Sequence, residues 1–159
     1  MPQKHKDKRK ITPSPTEIYQ FEIDDWEVSY SFHGKTKHSY THSNKYDEVA
    51  LLVLFGEPFV PVYKIVSKVQ FYFWAEPKLE DHWTEKPTVE ARSLVGHMTV
   101  LRDKVTLDIS CSIPPRMFNN IQVSLASGKI KFAKVYGEKL RWGKGGVFWI
   151  SLATKEDDE

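Results

Sequence analysis

Beyond the Pro13-Ser-Pro15 linker the chain settles into runs of alternating apolar and polar residues. Trp26, Val28, Tyr30 and Phe32 alternate with Glu27, Ser29 and Ser31, the pattern of a strand with one buried face. Tyr19, Phe21 and Ile23 predict a weaker strand before it. Residues 48–55, "EVALLVLF", are apolar on both faces, as in a central strand covered on both sides. "GEPFVP" then ends the ladder, because its two prolines lack the backbone donor. Val69, Phe71 and Phe73 alternate with Gln70, Tyr72 and Trp74 in a further strand. Residues 76–88, "EPKLEDHWTEKPT", read as a long polar loop bracketed by prolines.

From Leu94 onward the pattern is a meander, and its registers can be written down because a slip of one residue would exchange the faces of a strand. Around "LRDK", Val100 is expected opposite Val105, Met98 opposite Leu107 and Gly96 opposite Ile109. The other face then pairs Thr99 with Thr106 and His97 with Asp108. Around "ASGK", Leu125 meets Ile130 and Val123 meets Phe132; around "GKGG", Trp142 meets Val147 and Leu140 meets Trp149. The one helical signal is the turn at residues 114–120, "PPRMFNN", whose proline suits a first helical turn.

No 3.6-residue period is sustained and no segment repeats. The expectation is therefore an all-β fold, an antiparallel β-sandwich or barrel-like arrangement of about nine short strands with one short helical turn. Residues 16–154 form its single domain, a size that can bury an ordinary core.

Charge changes this picture only at the ends. Residues 1–10 carry five basic groups against one Asp, and residues 155–159 one Lys against four acids, so 1–15 and 155–159 read as a basic and an acidic solvated tail. The whole chain holds a formal net charge of +2, too little for general attraction to nucleic acid or membranes. A single cysteine, Cys111, excludes an intramolecular disulfide and fits a reducing compartment. The basic start leads to no apolar signal-peptide region, and "VALLVLF" is too short to cross a bilayer, so a soluble cytoplasmic protein is expected.

Candidate chemistry is sparse. "HGKTKHSYTH", residues 33–42, lacks the upstream glycine and following helix of a phosphate-binding loop. His33, His38 and His42, with Asp47, could share a metal only if a bent loop gathered them, and a solvated loop is the preferred reading. Cys111 shares a strand face with Leu107, Ile109 and Ile113 and reads as an inert structural thiol. His97 opposite Asp108 would be half of an acid–base machine; the plainer reading is a surface cross-strand pair. Trp83 and His82 stand in the polar loop, where a large aromatic marks either a partner contact or a lid over the core. Arg141, Trp142, Lys144 and Trp149 complete the candidates: the two rings form either an outward aromatic ledge beside the cations or part of the core, and core is the preferred reading.

No complete catalytic set emerges and no cofactor is called for. The expected function is a non-enzymatic binding module or assembly component that recognises a protein partner or small ligand, carbohydrate among them, through loops and an aromatic face. Nucleic-acid binding through the basic arm and the Lys/Arg-flanked aromatics is the second reading. A hydrolase-like or metal-dependent enzyme using His97 and Asp108, or the histidine loop, is the third.

Overall fold

The computed structural model describes residues 14–34, 46–59, 65–84, 86 and 93–154, with backbone alone at 46, 47 and 81–84. Seven strands form one closed barrel: β1 (Thr16–Gly34), β2 (Tyr46–Pro58), β3 (Lys68–Ala75), β4 (Gly96–Val100), β5 (Thr106–Ile113), β6 (Phe132–Glu138) and β7 (Lys144–Ala153). Around the barrel the order is β1-β2-β3-β5-β4-β7-β6, and β6 pairs back onto β1. The fold is all-β and barrel-like, and the described residues form seven strands where about nine were expected.

One reason for the lower count lies in β1. Its two period-two stretches are a single strand whose phase flips at Asp24, where the register jumps from Ile23↔Gly56 to Asp25↔Phe55. The extra residue is a β-bulge, which bends the strand and lets odd-numbered Tyr19 and Phe21 and even-numbered Trp26 and Val28 all reach the core. β1 thereby serves two neighbours, β6 along Thr16 to Glu22 and β2 along Phe21 to Gly34.

Side chains fill the interior. Phe21 meets Phe71 edge-on at 5.3 Å, Phe71 stacks with Phe73 at 6.2 Å, and Leu52, Leu54, Met98, Leu107, Ile109 and Val135 are fully buried beside them. Burying each such side chain stabilises the fold by about 1.5–3 kcal/mol, so this centre is a packed core and not a ligand lumen. β3 and β5 run parallel, the one exception to an otherwise antiparallel barrel.

The hairpin expected around "ASGK" does not form. Residues Pro115–Ala126 are instead a helix, α1, because Phe118, Ile121 and Leu125 fall on one buried stripe while Val123 points outward, 69% exposed. Pro115 opens the helix, and Gly128, at φ 68°, closes it with its amide donating to the Leu125 carbonyl. Tyr30 holds α1 to the barrel, packing on Phe118 at 6.1 Å and donating its hydroxyl to the side-chain oxygen of Gln122. The loop expected at 76–88 begins as a 3-10 helix, Pro77–Thr84, whose Glu80 accepts from the Arg116 amide at 2.9 Å.

The two remaining hairpins form with other registers. Gly96 faces Cys111, His97 faces Ser110 and Thr99 faces Asp108, two residues away from the expected pairing. The shift follows from the turn: Asp103 accepts from the amides of Val105 and Thr106 and from the Thr106 hydroxyl at 2.7 Å. The Val105 carbonyl is taken by the amides of Ser67 and Lys68, so Val105 leaves the hairpin ladder. In the β6–β7 hairpin Trp149 pairs with Tyr136 and not with Leu140, and a bulge after Tyr136 inserts Phe148. Trp142 is consequently the apex of a two-residue turn and has no partner at Val147.

Candidate functional site

Three surface regions gather the residues that carry chemistry. The first is an apolar cleft of about 530 Å³ between the 3-10 helix, Val95 just before β4, the end of β5, the start of α1 and the middle of β7. Leu79, Val95, Ile113, Met117 and Trp149 line it, with Glu80 and Arg116 among its polar residues. Trp149 is 39% exposed and stacks on Tyr136 at 6.0 Å; Tyr136 also packs against Phe148 at 5.8 Å and donates its hydroxyl to Thr16. A cleft of this size and lining suits one bulky apolar side chain or a small apolar ligand.

The second region is the β6–β7 turn. Arg141 and Lys144 exchange backbone hydrogen bonds of 2.9 and 3.1 Å across Trp142 and Gly143, which have φ of 55° and 73°. Positive φ at both central residues is the geometry that Asn-Gly normally supplies, because it matches the twist of the strands. A bulky ring in that left-handed conformation costs about 1–2 kcal/mol. Trp142 gets little back from packing, since it is 91% exposed. Two hollows of mixed lining flank the turn: Lys139, Leu140, Arg141 and Lys144 line one, His97, Met98, Thr99 and Lys144 the other, and Glu138 lines both.

The third is the outer face of β3 and β5. Asp108 lies in register with Gln70 on β3 and Thr99 on β4, and its Oδ1 is buried without a hydrogen-bond partner among the described residues. Burial raises its carboxyl above the ordinary range, and the charge of Asp103 adds to the rise. Tyr72 is raised too, by burial first and then by Asp108 and Glu27; its hydroxyl donates to Gln70 at 2.7 Å. On this face His97 stands opposite Ser110, exposed, so the expected His97–Asp108 pair is not formed in register.

Trp142 and Trp149 form neither the preferred core pair nor the alternative ledge, since they are 91% and 39% exposed and lie apart. Trp142 sits at the turn and Trp149 at the cleft, separated by the first half of β7. Trp83 and His82 lie on the 3-10 helix, but their side chains are outside the described residues. His33 ends β1 with its Cα in register with that of Asp47, while His38 and His42 are outside the described residues. Among the described residues no group of three or more His, Cys, Asp or Glu side chains is placed to hold a metal ion. Cys111 is buried, and desolvation pushes its thiol up to about 12, which leaves it unreactive.

Sequence patterning does not disclose the cleft. Its walls come from four separate segments of the chain, and of its lining residues Trp149 alone stands out in the sequence as a binding candidate. A helical reading of "RMFNNIQVSL" would put Met117 beside the Phe118–Ile121–Leu125 stripe and offer one hint of it. Comparison with protein-family models, with curated proteins and with solved structures returns no match to this chain.

Proposed function

We propose that this protein is a non-enzymatic binding module that docks a protein partner, whose apolar side chain enters the cleft beside Trp149. The observation that carries the reading is the cleft itself: an apolar hollow of about 530 Å³ outside an interior already filled by its own side chains. Open apolar hollows with a few polar groups at the edge are where proteins take anchoring side chains, and a charged pair such as Glu80 and Arg116 would orient the incoming backbone. Among the described residues no helix is long and apolar enough to cross a membrane. With its one cysteine buried and unpaired, the module fits a reducing, cytoplasmic setting.

The test is a screen of short peptides carrying a central Leu, Phe or Trp, with simple sugars alongside, read by methyl chemical shifts. The expected result is peptide hits that move the Leu79, Val95 and Met117 signals and disappear in Met117→Asp. Hits confined to sugars, or peptide shifts that ignore Met117→Asp, overturn the reading.

A further inference from the structure

The β6–β7 turn does not stand alone. The Val100 amide donates to the Gly143 carbonyl at 2.7 Å, and Lys144 pairs with Thr99, so this turn and the β4–β5 turn form one apex. Arg102, Lys104, Arg141, Trp142 and Lys144 are all exposed there. The two carboxylates that share these turns are already occupied. Asp103 accepts from Val105 and Thr106, and Glu138 accepts from the Gly146 amide at 3.0 Å. The apex thus carries one large exposed ring and four exposed cations on two adjoining turns, with a hollow on either side of Lys144 that Glu138 also lines.

From this arrangement we infer that the apex binds single-stranded nucleic acid, one base stacking on the Trp142 indole while Arg141, Lys144, Arg102 and Lys104 meet the phosphates. The surface is separate from the cleft, and the inference stands on its own observations. A ring held in an unfavourable backbone conformation with almost no packing in return is the feature that needs a cause outside the fold. A base supplies it, because every base has a face that stacks on an aromatic ring. Cations carried by the same two turns as the ring suit the repeating phosphates of a strand whose bases can reach the indole, and the vesicle probe below separates this from an anionic lipid surface.

The experiment uses the full chain, a labelled oligothymidylate of about twelve nucleotides and anisotropy titrations between about 50 and 200 mM salt. Vesicles of phosphatidylserine serve as a second anionic probe. The expected result is binding whose log affinity falls linearly with log salt. Trp142→Asn should weaken it roughly ten- to hundredfold with little change in slope. The double variant Arg141→Gln with Lys144→Gln should flatten the slope by about 0.7 for each phosphate that is no longer neutralised. Binding that is absent at the lowest salt, or unchanged by both variants, overturns the inference. Vesicle binding that needs Trp142 without oligonucleotide binding overturns it in favour of a membrane surface. Since Asn suits the turn geometry better than Trp, Trp142→Asn is expected to fold at least as well as the parent, and weaker binding cannot be put down to unfolding.

Discussion

Trp142 and Trp149 are seven positions apart on one hairpin, and the fold treats them in opposite ways. Trp149 lies in β7 next to the bulge at Phe148, stacks on Tyr136 and forms a wall of an apolar cleft. Trp142 caps a turn in left-handed geometry, 91% exposed, between an arginine and a lysine. The first ring contributes to stability and to a pocket together. The second costs stability where it stands. An aromatic residue at the surface therefore has to be judged by its backbone and its neighbours before it is assigned a role, and here the two environments carry the two partners we propose: an apolar side chain at the cleft and a base with its phosphates at the turn.

That contrast can be broken first at its stable end. Trp149→Ala removes the stack on Tyr136 and part of the cleft wall, and unfolding measured in urea should show a loss of about 1–2 kcal/mol, below the roughly 3–5 kcal/mol of a fully buried ring. Gly143→Ala tests whether the turn is held as described. Its φ of 73° is left-handed and an added Cβ would sit 3.4 Å from that of Val100, so about 1–2 kcal/mol should be lost at the same readout. Trp142→Asn should move the other way and stabilise the protein by about 1 kcal/mol, because Asn-Gly is the natural pair for this turn.

The smallest effect concerns the neighbouring turn, where two aspartates oppose one another. Asp108, raised by burial, gives its full stability when protonated, below the ordinary carboxylate value of about 3.9, and loses it as pH rises through the raised value. Asp103, lowered by its bonds to Thr106, contributes above the ordinary value and loses that contribution as pH falls through the lowered one. At neutral pH Asp108→Asn should therefore raise the Tm and Asp103→Asn lower it, with the Asp108→Asn gain gone by about pH 4. Thermal melts across that range decide it, and equal signs at neutral pH would contradict the assignment.

How much of this was legible in the sequence differs from element to element. Period-two patterning located the segments of β1 and β3, a run apolar on both faces that of β2, and hairpin registers those of β4, β5 and β7. The proline signal at 114–120 marked the start of α1, but the same pattern hid its second half: Val123 and Leu125 look like alternate strand residues until Phe118 and Ile121 are read with them as a stripe. The β4–β5 register slipped by two residues, which kept faces correct and partners wrong. In the β6–β7 hairpin, by contrast, the bulge at Phe148 also put Val147 in the core and Trp149 outside it. The causes were local chemistry that a pattern does not carry, the Asp103 carboxylate in one turn and a tryptophan at a left-handed position in the other. The parallel pairing of β3 with β5 and the cleft depend on the packing of distant segments, which no local window contains.

The measurement that tests the account most directly is made on one variant, Trp142→Asn, with stability and oligonucleotide affinity determined on the same preparation. A protein that is more stable than the parent and binds roughly ten- to hundredfold more weakly is the predicted result, because the ring would then be shown to cost the fold and serve the partner. A variant that is less stable, or one that binds as the parent does, would contradict it: the indole would belong to the fold, or the nucleic acid would not touch it.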